Sequence, residues 1–388
     1  MEARTDFGLH CLCCGAEASN GVLPLGSERC KGSPLLRTRY TKKTLSVGDP
    51  SLGIYRFADW LPVRRMLKGT DAPVTFKAER LGDALGLRNL YVTFSGYWPE
   101  KNVRMKTGTF KETEANAVGS WLPKGFDQTL VVASAGNTAR AFAHVFSENK
   151  LKVVIVIPEQ NLDTMWFDRP IDDDYVKLVA VGGASDYYDA IRLSRLITML
   201  DGYIPEGGAY NVARRDGMAT TVLSAVTTIG AIPDYYVQAI GSGTGTIAAW
   251  EANLRFIAAG QYEPRKMTLL TVLNAPFCLI YDSWKSGSRE LAFIDEADAK
   301  AQIGAVYAKV LSNRRPAYGM TGGLYDALVD TGGDVLLASN EEAMAASAMF
   351  LETEGNDLAP PTAVALAGLI GCVNEGRIER DAIVMLNA

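Results

Sequence analysis

The chain has 388 residues, more than one compact domain usually holds, so two domains plus a small module are expected. Apolar residues make up 48% and charged residues 21%, enough for a sizeable core and too balanced for a disordered chain. A net charge of -5 argues against broad nucleic-acid binding and leaves room for a local cationic pocket that takes small anions.

The first residues, Met1-Glu2-Ala3-Arg4-Thr5-Asp6, lack the basic-then-apolar pattern of a signal peptide. No apolar run approaches the roughly 18 residues of a membrane span, so a cytoplasmic location with no membrane partner is expected. Next come Cys11-Leu12-Cys13-Cys14-Gly15, then Cys30, then Leu35-Leu36-Arg37-Thr38-Arg39-Tyr40. They predict a small ribbon-like module over residues 1–43, two short ribbons and an exit strand, with the look of a degenerate zinc ribbon. Cys11 and Cys14 form one C-x-x-C knuckle, whereas the second offers only Cys30, and closing a tetrahedral site needs Cys13 or His10 as well. The expectation is no bound metal, with Cys11, Cys14 and Cys30 as the ligands if zinc is held.

Lys111 follows, in Met105-Lys106-Thr107-Gly108-Thr109-Phe110-Lys111-Glu112, where a helix is predicted to begin. By itself it reads as a solvated charge, and spacing does not separate it from Lys106. The apolar run Leu130-Val131-Val132-Ala133 then leads through Ser134-Ala135-Gly136-Asn137-Thr138 into an Ala-rich helix over about 138–147. A second run, Val153-Val154-Ile155-Val156-Ile157, stops at Pro158. Continuous β-branched runs imply strands buried on both faces, so this is a β-α-β unit of a parallel sheet. Two similar units follow: Val176-Lys177-Leu178-Val179-Ala180-Val181 before a helix over 187–199, and Tyr235-Tyr236-Val237-Gln238-Ala239-Ile240 before a helix over 247–259. The pattern predicts an α/β protein with mostly parallel sheets. A smaller α/β domain over 96–212 is expected to be inserted into a larger one made of 44–95 and 213–388.

The chain holds two histidines, His10 and His144, which leaves a Ser-His-Asp hydrolase or a multi-histidine metal enzyme without material. His144 reads as a packed structural residue, and Cys278 and Cys372 read as buried free thiols. Acid-base work falls to lysine, carboxylates or bound phosphate.

The loop Gly241-Ser242-Gly243-Thr244-Gly245 fits neither common nucleotide motif. A dinucleotide fingerprint needs glycine at 246, which is threonine, and the Gly-Lys-Ser/Thr ending of a P-loop is absent. What remains is a strand-to-helix turn whose hydroxyls and backbone N–H groups suit a phosphate monoester. An amine able to form a Schiff base, an amide-bearing loop and a phosphate seat are together what pyridoxal phosphate requires.

Thr107-Gly108-Thr109-Phe110-Lys111 resembles the Pro-Thr-Gly-Ser-Phe-Lys segment of threonine synthases and related fold-type II pyridoxal phosphate enzymes, whose last lysine holds the cofactor as a Schiff base. The resemblance selects Lys111 over Lys106. Ser134-Ala135-Gly136-Asn137-Thr138 resembles the loop whose Asn bonds the 3-oxygen of the cofactor, and Gly241, Ser242, Gly243, Thr244 and Gly245 resemble its phosphate cup. The implied fold is that of the tryptophan synthase β-like enzymes, two parallel-sheet three-layer domains, here with the ribbon in front.

A narrower resemblance runs over nearly the whole chain. Arg56-Phe57-Ala58-Asp59-Trp60-Leu61-Pro62-Val63, Pro73-Val74-Thr75-Phe76-Lys77, Gly96-Tyr97-Trp98-Pro99-Glu100-Lys101 and the segment from Ala133 to Ala143 resemble the cysteate synthases of methanogenic archaea, paralogues of the threonine synthases. This implies β-replacement of phosphate in O-phosphoserine by sulfite, giving cysteate for coenzyme M synthesis. The alternatives are a threonine synthase acting on O-phosphohomoserine and a non-catalytic ligand-binding paralogue. Against the first, Met105-Lys106-Thr107 stands where threonine synthases have Asn-Pro-Thr, and Glu112-Thr113 where they have Asp-Arg.

Both implied substrates are anions. Arg104, Lys106, Arg140, Arg214, Arg215, Arg314 and Arg315 are the candidate cations, with Arg140 the foremost seat for sulfite or phosphate. Thr107, Thr109, Ser134, Thr138, Lys106 and Arg140 are the expected substrate-binding residues, and a homo-oligomer is the expected assembly. In the resembled family the partner of the pyridine nitrogen lies just past a last apolar strand. The sequence closes on Ala382-Ile383-Val384-Met385-Leu386-Asn387-Ala388, so that contact is expected to be missing from it.

Overall fold

A computed structural model describes residues 5–18, 21–27, 29–30 and 34–388. Residues 1–4, 19–20, 28 and 31–33 of the expected ribbon module, and with them most of the segment read for a signal peptide, lie outside the described residues. The chain forms two compact units. The first comprises Met1–Ala72, Ser95–Pro99 and Val103–Thr220, the second Pro73–Phe94, Glu100–Asn102 and Thr221–Ala388. Residues 44–72, grouped by sequence with the larger domain, fall in the first unit together with the ribbon.

In the first unit the ribbon is a three-stranded antiparallel sheet. Phe7–Cys11 sits between Glu17–Ala18 and Leu36–Tyr40. Phe7, Leu9 and Cys11 point inward in strict alternation, as a half-buried strand requires. The same unit holds a four-stranded sheet in the order Val176–Val181, Val153–Pro158, Thr129–Ala133, Tyr203–Pro205, parallel throughout. Every residue of Val153–Pro158 is buried, which explains its unbroken apolar run. Val176–Val181 lies at the edge, and five of its six side chains, all but Val176, are exposed or half-buried. The helix Asn137–Asn149 connects the two inner strands, and Tyr187–Ile197 is opened by a capping box between Asp186 and Asp189.

The second unit is built on a six-stranded sheet ordered Asp334–Ala338, Thr268–Asn274, Tyr235–Ala239, Ile383–Asn387, Asn89–Phe94, Val74–Lys77. All neighbours are parallel except the last pair. The closing apolar run of the sequence is therefore an inner strand, not an edge. The helix Pro360–Asn374 packs closely on this sheet. At Gly368 an added Cβ would come 2.5 Å from Val272 Cγ2, so only glycine lets the helix approach this near.

The predicted elements are present with small shifts of boundary. The helix expected over 138–147 runs from Asn137 to Asn149, and that expected over 247–259 begins at Thr244, directly on the glycine loop. Cys372 is buried as expected, but Cys278 is only half-buried because it stands in front of the short helix Leu279–Lys285; both are free thiols.

Candidate active site

Lys111 is the first residue of the helix Lys111–Trp121. Its side chain is about one-fifth exposed, with Nζ 3.5 Å from Glu114 Oε2 and 4.4 Å from the centre of the Phe110 ring. Glu114 is fully buried, one helical turn further on, where an i+3 residue shares the face of its predecessor. Its other oxygen lies 3.6 Å from Arg214 Nη1. Arg214 in turn donates through Nε and Nη2 to both oxygens of Glu206, at 2.8 and 2.6 Å. Gly208 N and Asn211 Nδ2 complete the Glu206 carboxylate, at 2.9 and 3.2 Å.

Two cations and two anions thus alternate in one buried row, so the row as a whole carries no net charge when all four are ionised. Without such pairing, burial of any one charge would cost several kcal/mol. Burial pushes the Lys111 amine below its ordinary value, and Arg214 adds to that, while Glu114 works the other way. The helix N-terminus beneath Lys111 also disfavours a positive charge. Burial likewise raises Glu206 against the pull of Arg214. Arg214 is held above the usual guanidinium value: burial opposes its charge, but Glu114 and Glu206 outweigh that. An amine kept easy to deprotonate, with a carboxylate 3.5 Å away, is suited to form a Schiff base and to take up a proton.

The loop before Lys111 is held by two clamps. Thr107 donates through its backbone N and its Oγ1 to Glu112 Oε2, both at 2.9 Å. Its carbonyl accepts from Arg140 Nε at 2.8 Å. Arg140, expected as an anion seat, is buried among protein acceptors: Nη1 donates to Thr164 O at 2.7 Å and Nη2 to Asn137 Oδ1 at 3.2 Å. Its guanidinium also stacks 4.2 Å over the Trp166 ring, and burial pulls its pKa down to about 10. Arg140 ties the Lys111 loop to the Asn137 loop. Because Asn137 Oδ1 takes the Arg140 donor, its Nδ2 is the end left to donate elsewhere.

Ser134 builds its own loop. Its Oγ accepts from Gly136 N at 3.0 Å and Ala139 N at 2.9 Å, which covers N–H groups at the start of the helix. Thr109 and Thr138 are buried, and Thr109 Oγ1 accepts from Lys111 N at 3.4 Å. Lys106 is half-buried and forms no ion pair among the described residues; with Arg104 it counters the burial that raises Asp71. Arg215 is spent on the carbonyls of Ala209 and Leu36, and Arg314 pairs with Glu296 at 3.6 Å. His144 is 2% exposed between Arg169, Glu148 and Asp168, a packed structural histidine.

In the second unit, Gly241 to Gly245 links Tyr235–Ala239 to the helix Thr244–Ala259. Gly243 adopts φ +75°, and a Cβ there would fall 2.8 Å from Leu324 Cδ2. At Gly245 a Cβ would meet the Gln238 amide at 2.7 Å. Ser242 Oγ and Thr244 Oγ1 lie 2.9 Å apart, and no side chain caps the 16-residue helix that follows. Thr244 N donates to Ser242 Oγ at 3.4 Å, and the N–H groups after it lie at the positive end of the helix with no side-chain cap, a seat for an anion.

Comparison with known proteins gives the family. Residues 71–388 match the family described as pyridoxal-phosphate dependent enzyme. A relative named cysteate synthase from Methanocella paludicola is 46% identical over 361 residues, 92% of this chain and 84% of that protein. One of the same name from Methanosarcina acetivorans is 45% identical over 384 residues, covering 98% and 91% of the two chains. The chain belongs to the cysteate synthase family of pyridoxal-phosphate dependent enzymes. In fold it is similar to an L-serine ammonia-lyase from Rhizomucor miehei, with TM-score 0.62 and 16% identity over 81% of this chain and 92% of that one. Maize serine racemase gives 0.61 and 14% over 82% and 89%. The cofactor of the cysteate synthase family is pyridoxal phosphate, and each unit taken by itself holds residues that suit it: in the first, a buried amine at Lys111 and an amide donor at Asn137; in the second, the glycine loop Gly241 to Gly245 at a helix N-terminus.

Sequence reasoning used Glu112 only as a departure from the threonine synthase pattern, did not single out Glu114 or Glu206, and offered Arg214 only as a candidate cation. One signal was there to be read: Glu114 stands three residues after Lys111 on a predicted helix. Glu206 and Arg214 are eight residues apart across a turn, and nothing in their spacing announces the pair.

Proposed function

We propose that the chain replaces the phosphate of O-phosphoserine with sulfite, releasing inorganic phosphate and forming cysteate, the step that leads toward coenzyme M. The observation that carries this reading is the identity of 44 to 46% with three proteins named cysteate synthase, over 92% or more of the chain, combined with a lysine in the position and environment the chemistry requires. We further infer a soluble cytoplasmic enzyme that assembles from copies of itself; among the described residues no helix is long and apolar enough to cross a membrane.

Pyridoxal phosphate, when bound, draws electron density from the Cα of an attached amino acid and so eases loss of its proton and of a β-leaving group. Lys111 supplies the amine that holds it. Nζ of the same residue takes the Cα proton and later returns it, and the Glu114 carboxylate beside it stabilises the protonated form. Asn137 donates to the ring through Nδ2. Ser242, Thr244 and the N–H groups behind them seat the cofactor phosphate. Lys106, which forms no ion pair among the described residues, is assigned to the substrate anions. Thr109 and Thr138 line the substrate side, while Thr107, Ser134 and Arg140 hold the two loops in shape.

Amino-acid analysis of the products decides the matter. Incubation with O-phosphoserine should give cysteate and one phosphate per cysteate only when sulfite is present. Threonine from O-phosphohomoserine, or no cysteate from a chain that binds the cofactor, would overturn the assignment.

A further inference from the structure

The Cys-rich loop of the ribbon is not used by this chemistry. Cys11 closes the strand Phe7–Cys11, and the chain turns back at once: Gly15 N donates to Cys11 O and Cys11 N to Ala16 O, both at 2.9 Å. Gly15, with φ +68°, allows the tight return. The turn brings Cys14 beneath Cys11. Cys30, held by a backbone bond to Ser27 at 3.3 Å, faces them from the other side.

The three sulfurs lie within 4.8 Å of one another, and Cys11 Sγ is 3.6 Å from Cys30 Sγ. A disulfide would need about 2.05 Å. Thiolates on a tetrahedral zinc, each about 2.3 Å from the ion, stand about 3.8 Å apart. The spacing of this trio is that of zinc ligands and not of a crosslink.

We propose that Cys11, Cys14 and Cys30 bind one zinc ion, with the fourth position filled from outside the trio. Water fills that position, since the remaining cysteine of the loop, Cys13, is exposed and is not one of the three clustered sulfurs. This reverses the expectation of a metal-free ribbon. Zinc suits the site because soft thiolates in a closed tetrahedron select it over hard cations.

The ion would brace the site framework from the side. Thr38 Oγ1 and Tyr40 OH, on the exit strand, donate to Asp216 Oδ2 at 2.8 and 2.6 Å, two residues beyond Arg214. Phe7 meets the ring of Trp121, the last residue of the Lys111 helix, at 4.9 Å. The Leu25 side chain fills the space beside Gly207, where a Cβ would fall 2.2 Å from it, next to Glu206. A ribbon pinned by zinc thereby fixes three pieces of the buried charge row.

Elemental analysis of the full chain, expressed with zinc in the medium, should find one zinc per chain, and X-ray absorption should show sulfur neighbours at about 2.3 Å. Cobalt(II) in its place should give thiolate charge-transfer bands. Cys30→Ser should lose the metal, whereas Cys13→Ser should keep most of it. Should Cys30→Ser fail to fold, stripping zinc from the unaltered protein with a mercurial and a chelator gives the second readout: one equivalent released and a lowered thermal midpoint. Chain without metal, full zinc retained in Cys30→Ser, or a Cys11 to Cys30 disulfide in the purified protein would each overturn the proposal.

Discussion

Glu112→Gln should make the protein more stable in mild alkali and leave it nearly unchanged in mild acid. Glu112 is fully buried, its Oε2 accepts two hydrogen bonds from Thr107, and its Oε1 has no partner among the described residues. Burial pushes its carboxyl up to about 7 from an ordinary 4.5; the Thr107 donors and Lys106 oppose the rise, and Asp71 adds to it. The folded chain thus holds the Glu112 proton more tightly than the unfolded chain. Between pH 4.5 and 7 folding takes up a proton at this site, so stability falls as pH rises through that window and is level above it. A shift of about 2.5 units at 1.36 kcal/mol each is about 3 kcal/mol. Glutamine keeps an acceptor for Thr107 and removes the charge. For 388 residues unfolding together, an entropy of about 2.1 cal/mol/K per residue converts this to about 4 °C. Thermal midpoints of the cofactor-loaded protein and the variant, measured from pH 5 to 8, test it. The gap should open from near zero at pH 5 to about 4 °C at pH 8 in favour of the variant. A gap that is constant with pH, or that favours the parent at pH 8, would show that Glu112 is not held uncharged by burial.

Glu114→Gln removes the carboxylate that raises the Lys111 amine and leaves Arg214, which lowers it. The pH midpoint for attachment of cofactor to the apoprotein should move to lower pH, followed by the absorption of bound cofactor; a move to higher pH would contradict the charge row. Arg140→Ala strips donors from three acceptors, Thr107 O, Thr164 O and Asn137 Oδ1. Unmet buried acceptors cost about 1 to 3 kcal/mol each, so cofactor affinity should drop at least about tenfold in a fluorescence titration. Parental affinity, with a raised KM for sulfite or phosphoserine alone, would instead make Arg140 an anion seat.

Much of this organisation is written in local patterns. The runs Leu130-Val131-Val132-Ala133 and Val153 to Ile157 are inner strands of a parallel sheet and read as such, because burial on both faces leaves no polar positions. Asn89–Phe94 and Val74–Lys77 are short and interrupted by polar residues, and only the sheet around them makes them strands. The loops proposed to hold the cofactor stand out in the sequence because glycine, threonine and asparagine are the residues that tight turns and an anion seat favour. Arg140 was legible as a cation but not in its role: the acceptors that occupy it come from residues 107, 137 and 164, and only the fold brings those together. Glu206 was hidden for the same reason. The cysteines gave the opposite outcome. One missing ligand in the sequence pattern argued against metal, whereas three sulfurs within 4.8 Å argue for it.

The identity of the lysine that carries the cofactor tests the account most directly. The holoprotein is reduced with borohydride, digested and mapped by mass spectrometry, which fixes the cofactor to whichever amine bore it. The pyridoxyl group should appear on Lys111, in stoichiometric yield and not at all in Lys111→Ala. Attachment to Lys106, or a protein that takes up no cofactor on any lysine, would contradict the account.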